Sequence, residues 1–264
     1  MKRIAIIGAG YVGSALAAAL ARAGHDVLAT TTSPHRLAEL RGTGARAEQL
    51  VLADHDRCRA LLADRDTVYL TIAAKHGSGG YREVYLQGVR HLLAALPGTP
   101  VRHIVYTSSS SVYGQDAGEW VDETSPTEPA GENGRIILAS ERELLGGAEG
   151  APFVVTVLRV SGIVGPGRGP VNRMPQIAGA ARDDGNAWVN LVHRDDIVAA
   201  CVTLLERPIS GVLNLTCDEP ILRRTFYDNL VERLGLPSII WTDADGPPRG
   251  KRIRNDRLKS LLNF

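Results

Sequence analysis

The chain has 264 residues, of which 30 are basic and 29 are acidic, so its formal net charge is +1. This length suits one large α/β domain with a small lobe, and the balanced charge argues against a nucleic-acid or membrane-surface partner. The three cysteines form neither a metal-ligand pattern nor a disulfide framework, which favours the cytoplasm, and no run of 18 apolar residues predicts a membrane span.

Strand and helix patterns alternate through the first 160 residues, as is typical of a doubly wound parallel sheet. The predicted strands are 3–7, 26–30, 47–52, 67–72, 102–107 and 153–159. The predicted helices are 12–23, 34–40, 56–63, 81–96 and 135–145. Shorter elements follow: strands at 187–192 and 211–215, helices at 195–206 and 222–235, and a basic tail, 250–264, predicted to be a solvated amphipathic end.

A glycine-rich turn follows the first predicted strand. Gly8, Gly10 and Gly13 have the spacing G-x-G-x-x-G, and an Ala/Leu-rich helix begins at once. The first glycine permits a tight turn, the second allows backbone to approach a pyrophosphate, and the third allows the helix to pack on the strand. The turn, with Tyr11 and Val12, therefore predicts a dinucleotide site.

The end of the second strand bears on the choice of dinucleotide. A carboxylate there would hydrogen-bond the ribose 2′-hydroxyl of NAD, but the sequence has Thr31, Thr32 and Ser33, followed by Arg36. These residues are suited to a 2′-phosphate, which slightly favours NADP over NAD. The alternative is a plain helix N-cap at Ser33 with a solvated Arg36.

Four further residues that follow predicted strands are candidate cofactor contacts. Asp54 can reach the adenine amino group, or it can cap the next helix. The residues after the fourth strand, Ala73, Ala74 and Lys75, emerge at the carboxyl edge of the sheet beside the cofactor.

Four motifs in order resemble the NAD-dependent epimerase/dehydratase group of extended or atypical short-chain dehydrogenases/reductases. They are the glycine turn, RHIVYTSSSSVYGQ, VVTVLRVSGIVGPGRGP and WVNLVHRDDIVAACVTLL. The segment GVLNLTCDEPILRRTFYDNLVERLGLP also resembles a small bacterial subgroup, so the similarity covers nearly the whole length. The resemblance implies a Rossmann-type doubly wound sheet as one domain, 1–264, with a core over 1–160 and substrate-lobe segments within 161–264.

The resemblance also identifies a catalytic serine but not its usual partners. Ser109 matches the serine that orients a carbonyl or hydroxyl, three residues before Val112. The Tyr-x-x-x-Lys pair would fall on Asn133 and Ile137, or on Gly134 and Leu138 in the next register. Neither register supplies a proton donor or a neighbouring cation.

Two other residues are candidates for the missing proton donor. Tyr113 is close to Ser109 in sequence, although its family counterpart mainly packs near the substrate pocket. His76 follows Lys75 at the carboxyl edge of the sheet and could move protons near neutral pH, the alternative being a solvated loop pair.

Two predictions concern other charged residues. Asp195 or Asp196 is predicted to cap a helix, with His193 organising the loop before it. Arg159 is predicted to form an ion pair or to contact a substrate anion.

These features together predict an NAD(P)-dependent oxidoreductase that acts on a small carbonyl, imine or alcohol. One alternative is a sugar epimerase or dehydratase, although the amide residue typical of nucleotide-sugar enzymes is replaced by Val160-Ser161-Gly162. The other is a dinucleotide-binding regulator without turnover. The family resemblance also implies a homodimer through helices 81–96 and 135–145.

Overall fold

Seven parallel strands form the central sheet of the protein. The computed structural model describes residues 1–74, 80–243 and 245–264. The strands are, in chain order, β1 (Arg3–Ile7), β2 (Asp26–Thr31), β3 (Arg46–Gln49), β4 (Thr67–Leu70), β5 (His103–Ser109), β6 (Ala117–Val121), β7 (Val154–Val160), β8 (Gly162–Val164), β9 (Ala181–Arg182), β10 (Trp188–Val189), β11 (Leu191–His193), β12 (Gly211–Leu215), β13 (Ile221–Leu222), β14 (Ile240–Trp241) and β15 (Gly250–Ile253). The helices are α1 (Tyr11–Arg22), α2 (Leu37–Arg41), α3 (His55–Leu62), α4 (Gly88–Ala95), α5 (Glu132–Gly147), α6 (Met174–Ile177), α7 (Arg194–Glu206), α8 (Arg223–Leu234) and α9 (Asp256–Leu262).

The central sheet has the order β12-β7-β5-β4-β1-β2-β3, and helices cover both of its faces. Strand β1 shows why its sequence is continuously apolar. Ile4 and Ile6 pack towards α1 and α7, whereas Ala5 and Ile7 pack towards α3 and α4 on the other face. The direction of winding reverses between β1 and β4, so the carboxyl ends of these strands open a crevice for a ligand.

The predicted elements of the first 160 residues are confirmed, with shifts at their ends. Strand β3 ends at Gln49, three residues before the predicted end, and β5 extends two residues farther, to Ser109. The predicted helix over 81–96 is wound as a π-helix at Glu83–Gln87 before α4 begins. The pattern of apolar residues identified each strand and helix. The ends of the strands depend on hydrogen bonds to neighbouring strands, which the sequence alone does not show.

The core extends beyond residue 160 because the seventh strand comes from the carboxyl half. Strand β12 lies at the edge of the sheet beside β7, and α7 packs against α1. The predicted strand at 187–192 is divided into β10 and β11, which pair with β13 and β8 respectively. A separate apolar cluster around Met174, Val231 and Ile239 forms the centre of the small lobe.

Two expectations for the carboxyl half were wrong. The tail is not a solvated end: β15 pairs in parallel with β6, and Ile253, Leu258 and Leu262 are buried. Helix α7 is capped by His193 rather than by Asp195 or Asp196, since Nδ1 of His193 accepts a hydrogen bond from the Asp195 N–H at 3.2 Å. No helix in the described ranges is both long and apolar enough to span a membrane.

Candidate functional site

The glycine-rich turn lies at the carboxyl end of β1. Gly8 has a φ of +84°, which favours glycine, and an added Cβ would come within 2.9 Å of Ile72 Cα. At Gly13 an added Cβ would lie 2.5 Å from Oγ1 of Thr71, because α1 packs directly on the residue after β4. At Gly10 it would meet only the Gly8 carbonyl oxygen, 3.8 Å away. The turn is therefore crowded against the sheet and open towards the crevice.

The amino end of α1 faces this opening. No side chain caps the helix at Gly10, so its first-turn N–H groups remain free for an anion. The Tyr11 hydroxyl donates to the Pro166 carbonyl at 3.0 Å, and the guanidinium carbons of Arg168 and Arg194 lie 5.4 and 5.2 Å from the centre of the Tyr11 ring. Arg194 is paired with Asp195, whereas Arg168 lines the cleft, so free N–H groups with one cation beside them fit a pyrophosphate.

Residues after β2 line the same cleft, and Arg36 is already paired there. Its Nη1 donates to the Ala9 carbonyl at 2.7 Å, while Nε and Nη2 donate to the Glu39 carboxylate at 3.1 and 2.8 Å. The hydrogen bond with Arg36 lowers the pKa of Glu39. Ser33 provides no side-chain cap; its N–H donates to the Thr31 hydroxyl. Thr31, Thr32 and Ser33 thus line the cleft, and Glu39 would compete with a 2′-phosphate for Arg36.

A smaller, largely apolar cavity of about 170 Å³ adjoins the cleft between the ends of β3 and β4. Its walls include Leu50, Leu52 and Ile72, and its apolar lining suits an aromatic ring such as adenine. Asp54 is not among its lining residues. The Asp54 carboxylate instead accepts a hydrogen bond from the Arg57 N–H at 3.0 Å and caps α3. The contacts of Asp54 support the capping interpretation.

The serine-rich turn after β5 forms the opposite part of the cleft. Ser109 begins a 3₁₀ turn, and its Oγ accepts a hydrogen bond from the Ser111 N–H at 3.1 Å. This contact uses an oxygen lone pair and leaves the Ser109 O–H as a donor. Ser109, Ser110 and Ser111 all line the cleft, so the turn presents hydroxyl groups to a ligand.

Helix α5 explains why the usual Tyr-x-x-x-Lys pair has no equivalent on it. Asn133 is exposed, and Ile137 and Leu138 are buried in an apolar cluster with Val112. A Cβ at Gly134 would lie 2.5 Å from the Ser111 carbonyl oxygen, so the helix approaches the serine turn too closely for a larger side chain. None of these four residues lines the cleft.

Tyr113 belongs to a buried polar network. Its hydroxyl donates to Oδ1 of Asn214 at 2.8 Å and accepts from Nη1 of Arg159 at 2.9 Å. Arg159 also forms a buried ion pair with Glu141, which accepts a short hydrogen bond from Ser108. Burial raises the pKa of Tyr113, although Arg159 and Asn214 oppose the shift. These contacts support a structural role for Tyr113 and the ion-pair alternative for Arg159.

The main cleft, of about 790 Å³, brings most of the predicted site residues together. Those that line it are Gly8, Gly10, Tyr11, Val12, Thr31, Thr32, Ser33, Arg36, Ala73 and Ser109. Ala74 is described but does not line it, whereas Lys75 and His76 lie outside the described residues. No Asp or Glu is among the described lining residues, whereas Arg168 and Lys251 give the cleft wall positive charge in addition to the paired Arg36.

Sequence reasoning missed Lys251, which enters the cleft from β15. Its Nζ donates to the Tyr113 carbonyl at 2.8 Å. The tail was interpreted as solvated, so this lysine was not considered. Thr71 was also missed; its hydroxyl donates to the Gly8 carbonyl at 2.9 Å and holds the glycine turn on β4. The alternation of residues in a strand over 250–253 could have predicted that one face of the strand is buried. It could not have predicted that Lys251 lines the cleft.

Comparison with known proteins is consistent with this geometry. The family model described as the NAD dependent epimerase/dehydratase family matches residues 4–215. The protein YeeZ of Escherichia coli (strain K12) is 34% identical over 270 residues, which cover 100% of this chain and 95% of YeeZ.

Two further similar proteins are named for an activity or for a bound ligand. A 2-alkyl-3-oxoalkanoate reductase of Stenotrophomonas maltophilia (strain K279a) is 27% identical over 265 residues, covering 90% of this chain and 77% of the reductase. The structure of MoeE5 in complex with UDP-glucuronic acid and NAD has a TM-score of 0.83 and 24% identity, covering 99% of this chain and 93% of MoeE5. The likeness to MoeE5 demonstrates the shared fold.

Proposed function

Because the chain belongs to the NAD-dependent epimerase/dehydratase family, we propose that it is an NAD(P)-dependent oxidoreductase acting on a small carbonyl, imine or alcohol compound. One observation carries this proposal: the open glycine turn and the donor hydroxyl of Ser109 line the same cleft. A regulator that only bound a dinucleotide would not require a free hydroxyl donor at this place.

The dinucleotide fits the residues in three parts. The free N–H groups of α1, with Arg168 beside Tyr11, would hold the pyrophosphate. The residues after β2 would hold the adenosine ribose, and the cavity beside Leu50 and Leu52 would hold adenine. When bound in its reduced form, the nicotinamide cofactor supplies a hydride.

Ser109 would bind the substrate oxygen. Its O–H can donate to the substrate while its Oγ accepts a hydrogen bond from the Ser111 N–H. Such a donor stabilises negative charge that develops on a carbonyl oxygen during hydride addition. The reductase relative suggests a 2-alkyl-3-oxoalkanoate as a first compound to test, because its carboxylate suits a cleft with a cationic wall.

The first test is a fluorescence titration of the purified protein with NADH and NADPH at one salt concentration. Binding of either supports the assigned cofactor site. Binding of neither contradicts the proposal, because the glycine turn would then hold no nicotinamide dinucleotide.

The second test replaces the donor hydroxyl. We expect Ser109→Ala to lower NAD(P)H-dependent reduction of 2-alkyl-3-oxoalkanoates, simple aldehydes or imines by about tenfold to a thousandfold, with cofactor binding unchanged. The matched control is Ser238→Ala, at an exposed serine outside the cleft. Equal turnover by Ser109→Ala and the control would contradict the role of Ser109.

A further inference from the structure

Lys251 of β15 contacts the end of the turn that Ser109 begins, although it is 142 positions later in the chain than Ser109. The Tyr113 carbonyl that anchors Nζ of Lys251 follows the 3₁₀ turn that Ser109 begins. The backbone of Lys251 is held as well, because its carbonyl accepts a hydrogen bond from the Asn190 side chain at 2.8 Å. Two residues later, Ile253 packs in the same apolar cluster as Ile137.

The ammonium has hydrogens to spare. Only one of its three N–H groups is used, by the Tyr113 carbonyl, and within the described residues no carboxylate forms an ion pair with it. The charged groups around it are Asp116, which precedes β6, and Arg252 on its own strand, and the serine turn lies against it. Burial lowers the pKa of Lys251, and the more distant charge of Asp116 opposes this shift.

The other titratable groups on the described cleft wall are Arg36, Arg168, Tyr11, Tyr81 and Tyr85. Arg36 and Arg168 carry guanidinium groups, which do not release protons in proteins. Tyr11 already donates to Pro166. Burial together with the neighbouring Tyr85 raises the pKa of Tyr81 to about 12, and the two rings lie 4.6 Å apart. Tyr85 is the remaining tyrosine on the described cleft wall, and the variant Tyr85→Phe tests it as a rival proton donor.

We propose that Lys251 is the catalytic acid of this cleft, and that it provides from the carboxyl-terminal strand the proton that α5 has no residue to give. This inference rests on the proposed function. A proton leaves Nζ and bonds to the substrate oxygen as NAD(P)H gives a hydride to the carbonyl carbon. Ketone, NAD(P)H and ammonium thus become alcohol, NAD(P)⁺ and amine, and water returns a proton to the amine.

The first experiment observes the amine directly and needs no substrate. Trace acetylation of the full-length protein over a range of pH, read by mass spectrometry, compares Lys251 with Lys259, which forms an exposed ion pair with Asp218. We expect Lys251 to become reactive at lower pH than Lys259. We also expect saturating NADH, verified by the fluorescence titration, to reduce acetylation of Lys251 but not of Lys259. A common pH midpoint, or no protection by bound NADH, overturns the proposal.

The second experiment separates proton transfer from binding. We expect Lys251→Met to lower kcat by about a hundredfold or more and to remove the alkaline decline in rate, while the Kd for NADH stays within about twofold. Lys251→Arg keeps the charge but cannot release a proton, so it should retain KM within about threefold and fail to recover kcat. Lys259→Met should match the wild type, and Tyr85→Phe should lose much less than Lys251→Met.

The outcomes distinguish this inference from the proposed function. If the wild type oxidises NADH with none of the test compounds, the proposed function fails and the inference falls with it. If the wild type turns over but Lys251→Met does so with the same kcat and a higher KM, Lys251 only binds the substrate and the inference alone fails.

Discussion

Arg36 holds two partners at once, the Ala9 carbonyl and the Glu39 carboxylate, and this pairing decides how well it could bind a 2′-phosphate. Removing the negative charge of Glu39 leaves the guanidinium available to an incoming anion. We expect Glu39→Gln to raise the affinity for NADPH relative to NADH by about fivefold, the scale of an exposed ion pair. Parallel fluorescence titrations with the two cofactors measure this ratio.

The matched control for this prediction is Glu149→Gln, which removes the same charge from an exposed site outside the cleft. An unchanged affinity ratio in Glu39→Gln would mean that Arg36 does not face the 2′ position. The slight sequence-based preference for NADP would then have no residue to support it.

Sequence reasoning identified single residues well where one strand and its following loop determine their place. Gly8 and Gly10 follow one apolar strand of the parallel sheet and Ser109 ends another, so their arrival at the carboxyl edge could be predicted. Lys251 could not be found in this way, because its entry depends on the pairing of β15 with β6, which are about 130 positions apart. The basic residues of the tail also concealed Ile253, Leu258 and Leu262, which anchor it in the core.

At the scale of elements, a buried ion pair joins α5 to the central sheet. Nη2 of Arg159 in β7 lies 2.8 Å from Oε2 of Glu141 in α5, and both side chains are almost fully buried. Removing one partner leaves the other charge in an apolar interior without compensation. We expect Glu141→Leu to lower the free energy of unfolding by about 3 to 5 kcal/mol, measured by urea unfolding monitored by circular dichroism.

The double variant Glu141→Leu with Arg159→Met tests the cause of that loss. Because it removes both charges, it should be more stable than either single variant, and the cycle should give a coupling energy of about 1 kcal/mol or more. Additive losses would indicate that packing volume, rather than the unpaired charge, determines the cost.

At the scale of the whole molecule, one buried histidine links global stability to pH. His103 begins β5 with 3% of its surface exposed, and its Nε2 lies 2.8 Å from the Thr156 hydroxyl. Burial lowers the pKa of His103 from 6.5 to about 4, so the folded state keeps the ring neutral. The unfolded chain binds this proton more readily, and folding is therefore weakened as the pH falls from about 6.5 to about 4.

The shift in the pKa of His103 corresponds to a loss of about 3 kcal/mol across that pH interval. We expect the wild type to lose this much more stability between pH 6.5 and pH 4 than His103→Gln, which has no group to titrate there. Urea unfolding of both proteins at several pH values measures the difference. Comparing the two proteins at each pH cancels the effect of the carboxylates, which both proteins share. His35→Gln, at an exposed histidine, should keep the slope of the wild type. Equal slopes for the wild type and His103→Gln would show that His103 is not held neutral by the fold.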